Sequence, residues 1–419
     1  MRKVAVINHD FSGFTGSEIV TLEIANYFSS RGCQVVIRAE RYSDVYLPYL
    51  AKNVTISDVR IDVTDFDVVW SQHGHFALNT DNLSKLKSWN GVYIASHLSS
   101  ITPAEVYHYP FSAKYAGGII FNAEQVEKSL IEKYKPRGVI CNFKNAAPQR
   151  FHSNIARRPD NLKNLLIVSN HFPAEIEEAL RILQEKGVNY THLGVKGTAK
   201  LIDPCDVQSA DAIISIGKTV QYSLVGGCPV YCYDHFGGPG WITSDNFYSA
   251  EVQNFSGRCT PYKKNAELIA DEVLSGYKFA RDYTENNIEL FQDRYNLEKI
   301  LDDFLRKVEI SGCGNNIRNQ EDIDQVDLMR GALCHVGWIW HDVFLKDFKT
   351  QFGGVNDLLE EKIKALQDER DALVQKIDNF NLLHPSWIVH FLRSPWRVRH
   401  WNRIRRRQRK SKAHRLAGS

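Results

Sequence analysis

The sequence predicts an α/β protein of two successive Rossmann-like, doubly wound lobes with an α-helical C-terminal extension. Three observations carry that prediction. Short β-branched runs alternate with helical patterns up to about residue 150, as strand–helix–strand units on a parallel sheet require. The alternation breaks at a polar stretch and then begins again. Beyond Gly312 the remaining periodicity is helical only.

Val4–Ile7 is an unbroken apolar run and reads as a buried strand, with a loop through Gly13 and Gly16 behind it. Ile19, Leu22, Ile24, Ala25 and Phe28 follow at roughly helical spacing; Gly32 stops that helix and Val35–Ile37 is the next strand. Val68–Trp70, Val92–Ala95, Gly118–Phe121 and Val139–Cys141 continue the sheet. The polar stretch Ala156 to Asn161 suits a linker. A second sheet is expected from Leu165–Val168, Tyr190–Leu193, Ala212–Ile216 and Val230–Tyr233, with a first helix at Ile176–Leu183. Leu297, Ile300, Leu301, Phe304, Leu305 and Val308 share one face of a late helix. Gly312 to Asn316 then closes the globular body, and the two lobes leave a cleft that is the default ligand site.

The expected division is residues 1–155 and 156–310 for the two lobes, 311–353 for a helical linker, 354–381 for a short coiled coil and 382–419 for a basic tail. Leu359, Leu366, Leu373 and Phe380 take d positions of a heptad, with Ile363 and Ile377 at a and the polar Asn356 and Arg370 at the other a positions. The seam at 356–380 serves either a homodimer or packing on the body.

Composition bounds the function. With 43% hydrophobic and 24% charged residues the chain is ordinary globular protein. Its net charge of +3 hides an asymmetry: eleven Arg and Lys and no acid follow Asp378, which leaves residues 1–378 at about −8. In the tail Trp387, Ile388, Phe391 and Leu392 form an apolar face. Trp396, Trp401 and Ile404 are then interleaved with Arg397, Arg399, Arg403, Arg405, Arg406 and Arg407. Tryptophan among arginines at helical spacing suits an amphipathic helix on an anionic membrane surface better than a nucleic acid. Eight scattered cysteines, without a C-x-x-C pair, suit a reducing compartment. The N-terminal apolar run is too short for a secretory signal, and no segment reads as a bilayer span. The expected location is cytoplasmic, peripheral on the inner membrane face.

Four constellations are candidates for chemistry. Gly13-Phe14-Thr15-Gly16-Ser17-Glu18 lies between the first strand and helix, where amides favour an anion. Ser215-Ile216-Gly217-Lys218-Thr219-Val220-Gln221 lies at the matching corner of the second lobe. Gly217 permits close approach there, and Lys218 adds a charge for a leaving diphosphate. The stretch Cys228 to Trp241 reads as a strand that delivers Asp234 and His235 to its carboxyl end, followed by a Gly237-Gly238-Pro239-Gly240 turn that exposes amides, with Trp241 available to a base or sugar. Ser71-Gln72-His73-Gly74-His75 and Ala95-Ser96-His97 place histidines beside the cleft of the first lobe. The His73–His75 pair lacks a third ligand at convincing spacing, so no metal is expected. The fingerprints of nicotinamide-binding and Walker A loops are absent.

Residues 1 to about 308 resemble a GT-B glycosyltransferase, most nearly the retaining family 4 of bacterial glycan synthesis. The resemblance is carried by Thr15-Gly16-Ser17-Glu18, Gly118-Ile119-Ile120-Phe121-Asn122, the stretch Asn142 to Phe151, Gly227-Cys228-Pro229-Val230 and Gly237-Gly238-Pro239. It departs at the family's two glutamates, where Ile214 and Tyr222 stand, and at the Arg and Lys of lobe two, where Ser169-Asn170-His171 stands. The resemblance implies a nucleotide-sugar donor on the second lobe, a glycan or lipid-linked acceptor on the first, and metal-free catalysis without a cofactor. On that reading Lys218 and Thr219 hold the diphosphate, Gln221 or Tyr222 replaces the ribose-binding glutamate, and Gly16, His97 and Glu18 lie near the transferred sugar. His235, Gly237 and Gly238 complete the donor side. Alternatives are an epimerase or polyol-phosphate transferase on the same fold, or a non-catalytic glycan-assembly partner.

Overall fold

The computed structural model describes residues 1–333, apart from 73–74, 101–102, 153–154, 156, 195–196 and 261. The heptad at 356–380, the tail residues Trp387, Trp396, Arg397, Trp401, Arg405 and Arg406, and His73 lie outside the described residues.

In chain order the first lobe holds β1 (Lys3–Ile7), β2 (Asp10–Phe11), α1 (Gly16–Ser30), β3 (Gln34–Arg38), β4 (Arg41–Tyr42), β5 (Val54–Ser57), β6 (Val68–Gln72), β7 (Val92–His97), α2 (Pro103–Tyr115), β8 (Gly118–Phe121), α3 (Glu124–Ile131) and β9 (Val139–Asn142). Seven of these strands form one sheet in the order β5-β3-β1-β6-β7-β8-β9, every pair parallel. Such a sheet is covered on both faces, which is why Val4, Val6, Val35, Ile37, Val69 and Trp70 are all fully buried.

The second lobe holds β10 (Asn164–Val168), α4 (Ala174–Glu185), β11 (Asn189–Leu193), α5 (Pro204–Ser209), β12 (Ala212–Ser215), α6 (Lys218–Val225), β13 (Val230–Asp234), β14 (Gly237–Trp241), α7 (Phe247–Val252), α8 (Ala266–Asn286) and α9 (Ile288–Arg294). Its sheet runs β11-β10-β12-β13-β14, parallel except for β14. Two Rossmann-like lobes are therefore present.

α10 (Leu297–Ser311) returns to the first lobe. Tyr27 Oη donates to Asp302 at 2.7 Å. Gly118 has no room for a side chain, since a Cβ there would sit 2.5 Å from the Phe304 ring. The body also runs past Gly312, where the sequence places its end. Ile317 and Val326 are buried, and Asn315 Nδ2 donates to Trp89 O at 3.1 Å. The polar linker contains an anchor as well. Arg158 is 3% exposed and donates to the carbonyls of Gln208, Ala210, Gly226 and Gly227. A charged residue in a linker reads as solvated, but this one satisfies four carbonyls at the floor of the second lobe.

Candidate functional site

Each sheet has one switch point, where successive strands are laid down in opposite directions. In the first lobe it falls between β1 and β6, in the second between β10 and β12. A crevice opens there at the carboxyl ends of the strands. The two crevices meet: Asn170, which follows β10, donates from Nδ2 to Phe14 O in the loop between β2 and α1 at 3.2 Å.

On the second lobe the rim consists of Ser169–His171 after β10, Ile216–Gly217 after β12 and His235 after β13. Ser169 Oγ donates to Asp234 Oδ2 at 2.9 Å and receives the amides of His171 and Phe172, which fixes the turn. The rings of His171 and His235 lie 4.1 Å apart. His235 is half-buried, and burial holds its pKa below the ordinary histidine value although Asp234 opposes the shift. Phe236 lies against His235, and the Arg258 guanidinium covers the Phe236 ring at 3.7 Å. Gly217 has φ +63° and open space where a Cβ would stand, and its amide donates to Phe255 O at 2.8 Å. Thr219 is half-buried in the first turn of α6, where amides have no carbonyl one turn back.

Lys218 opens α6 at the corner where the sequence places it, but its side chain turns into the fold. It is 7% exposed, and its ammonium pairs with Glu23 Oε2 of α1 at 2.8 Å. It also donates to Asn145 O at 3.2 Å and Ala146 O at 2.9 Å. Burial lowers its pKa and Glu23 opposes the shift. Gln221 donates to Lys144 O at 2.9 Å. Tyr222 is buried, stacked on Phe151 at 4.2 Å, and donates from Oη to Glu23; burial and that carboxylate push its phenol far up. These three side chains join α6 to α1 and to the crossover at 144–146, where Lys144 and Asn145 have φ near +50°. The assignments of Lys218 to a diphosphate and of Gln221 or Tyr222 to a ribose are corrected to ties between the lobes.

Two first-lobe assignments change for the same reason. Glu18 is 3% exposed and accepts the amides of Ser12, Gly13 and Thr15 at 2.8, 2.7 and 2.8 Å, so it folds the loop instead of facing a sugar. His97 is 1% exposed beneath α2, where its Nε2 shares a hydrogen bond with Ser112 Oγ at 2.8 Å and Tyr109 meets its ring edge-on. Gly16, the first residue of α1, is exposed, and a Cβ there would meet nothing within 4 Å.

The glycine-rich segment after His235 is a strand, not an open turn. β14 pairs antiparallel with β13, and a Cβ on Gly238 would lie 2.1 Å from Cys232 O. Gly237 is likewise packed, under Tyr262 O. Trp241 is buried, with Nε1 donating to Glu272 O at 2.9 Å, so its face is unavailable to a base.

Two cavities lie apart from the rims. One of about 690 Å³, lined by Arg2, Arg31, Cys33 and Glu309 among others, opens at the amino ends of β1 and β6, away from the crevice. A smaller one of about 220 Å³ lies between the lobes, lined by Leu22, Asn26, Tyr49, Arg150 and Leu201–Asp203. The strand edges, not cavity size, mark the site.

Sequence reasoning missed Arg258. Its loop carries left-handed backbone at Asn254, Phe255 and Gly257; Asn and Gly there mark a turn, but nothing in Gln253 to Cys259 says that the turn lays Arg258 over Phe236.

No protein-family model matches the sequence, and no curated protein matches it. Among solved structures the chain is similar to a sucrose-phosphate synthase from Thermosynechococcus elongatus, with 11% identity over 74% of this chain and 100% of that one, at a TM-score of 0.42. It is also similar to TarM, with 10% identity over 74% and 99% at a TM-score of 0.45. WaaG, a glycosyltransferase involved in lipopolysaccharide biosynthesis, matches with 14% identity over 72% and 98% at a TM-score of 0.42. At such distance the functional reading stands on the chain's own geometry: two Rossmann-like lobes whose switch points adjoin.

Proposed function

We propose that the chain is a glycosyltransferase of the GT-B kind that moves a sugar from a nucleotide-sugar donor to a glycan or lipid-linked acceptor. The observation that carries the reading is the meeting of two switch-point crevices through Asn170 and Phe14. On this reading the donor lies on one wall of the groove and the acceptor on the other. The second lobe receives the donor. The open backbone at Gly217 and Thr219 and the Arg258 guanidinium face the diphosphate and neutralise the charge that develops as it leaves. His171 and His235 line the same rim.

The tail around Trp387, Trp396, Arg397, Trp401, Arg405 and Arg406 holds the enzyme on an anionic membrane face, where a lipid-linked acceptor of cell-surface polysaccharide synthesis is presented. Among the described residues no helix is long and apolar enough to cross a membrane.

A second reading, a glycan-assembly partner without donor turnover, draws on Lys218 being tied to Glu23 instead of standing open. One experiment separates the two. The full chain is incubated with a panel of nucleotide sugars, and nucleotide release is followed. The transferase reading expects one sugar nucleotide to be consumed, with Arg258→Ala reducing kcat/KM by roughly 100-fold. A folded chain that neither binds nor consumes any of them refutes it.

A further inference from the structure

The switch point of the first lobe gathers three side chains that the sequence keeps apart. His9 follows β1, Glu40 follows β3 and His75 follows β6, and these are adjacent strands in the order β3-β1-β6. The backbone fixes two of them together, since the Glu40 amide donates to His9 O at 3.0 Å. His9 Nδ1 lies 3.2 Å from Glu40 Oε2. The rings of His9 and His75 stack with centroids 5.3 Å apart and planes 20° from parallel. One ligand atom from each residue falls within 4.8 Å of the other two.

We propose that His9, Glu40 and His75 form a binding site for a divalent transition-metal ion, zinc foremost, at the acceptor-lobe end of the crevice. The ligand set is two imidazoles and a carboxylate, which suits zinc and its first-row neighbours better than magnesium or calcium. Ligand atoms on a tetrahedral zinc are about 3.3 Å apart, given bonds of about 2.0–2.1 Å. The His9–Glu40 edge of the triangle, at 3.2 Å, is already of that size.

The site has an open side. The His9 and Glu40 side chains are 47% and 46% exposed, so a bound ion keeps positions for water or for an oxygen of the acceptor. The sequence reading stopped at His73 and His75 because the other two ligands arrive from strands 30 or more residues away. Metal binding is independent of the transferase reading; only the use of the open positions by an acceptor rests on it.

The test uses the full chain, stripped with a chelator and titrated with Zn²⁺ by calorimetry and with Co²⁺ by its visible ligand-field bands. One ion per chain is expected. Glu40→Gln and His75→Ala should each weaken binding more than roughly tenfold, with thermal melts of the metal-free proteins unchanged. His171→Ala/His235→Ala, at the other histidine pair, should titrate like the wild type. Absence of saturable binding, or titration curves that superimpose for wild type, Glu40→Gln and His75→Ala, overturns the site and leaves only a surface ion pair with a stacked ring.

Discussion

Replacing Glu23 tests whether Lys218 serves the fold or the donor. Glu23 is 3% exposed and Lys218 7%, and the pair at 2.8 Å is joined by the Tyr222 hydroxyl. Glu23→Gln leaves an ammonium buried with two carbonyls and no counter-charge. Removing one partner of a buried pair costs about 3–5 kcal/mol, whereas replacing both by apolar groups of similar size is often near neutral. At roughly 2–4 °C per kcal/mol for a lobe of this size, the single variant should melt on the order of 10 °C lower. The double variant Glu23→Leu/Lys218→Met should recover most of that loss. Calorimetric melts of the wild type, both single variants and the double complete the cycle. Arg150, 3.9 Å from Glu23, is a second cation that the carboxylate serves, so Glu23→Gln should exceed Lys218→Met in cost. A change of less than about 2 °C on losing Glu23 would show that the pair is solvated and the inter-lobe tie is not real.

Three further outcomes follow from other parts of the molecule. Glu18→Ala frees three amides of the Ser12–Thr15 loop and should lower stability by about 3 kcal/mol in urea unfolding; a loss under about 0.5 kcal/mol would refute its place as the loop's anchor. His108 is fully buried against Tyr93 Oη, and burial lowers its pKa to about 3. Its folded pKa is below the unfolded one, so its stabilising effect is complete above pH 6.5 and lost as pH falls towards 3. From this group alone the protein should be about 2 kcal/mol less stable at pH 5 than at pH 7, and His108→Gln should flatten that slope; an unchanged slope contradicts it. Deletion of 382–419 should move the protein from the membrane to the soluble fraction, and retention on vesicles would refute the tail as an anchor.

The frame was legible in the sequence wherever burial on both faces forces continuous apolar runs. Val4–Ile7, Val68–Trp70 and Leu165–Val168 each show such a run, and each is a strand. β5 was missed because Val54–Ser57 alternates at the sheet edge and carries two polar residues. β14 was read as a turn because Gly-Gly-Pro-Gly is turn chemistry; an edge strand tolerates Pro239, and close approach to β13 requires the glycines. The site was harder to read for one physical reason. A charged residue at a helix start looks the same whether it faces a ligand or a carboxylate from another lobe, and only the fold brings Glu23 to Lys218. The same holds for His9, Glu40 and His75, whose meeting depends on strand order. Gly16 and Gly217 were legible because open backbone at a strand-to-helix corner is a local property.

The most direct test of the proposed reading is hydrogen exchange of the full chain, read by mass spectrometry, with and without each nucleotide sugar of the panel. Protection is expected in the segments spanning 169–171, 215–219, 234–236 and 254–258, which form the second-lobe rim around Gly217 and Arg258. Protection confined to the first lobe, or spread over the amino ends of β1 and β6, would contradict the donor's place at the second switch point and the account built on it.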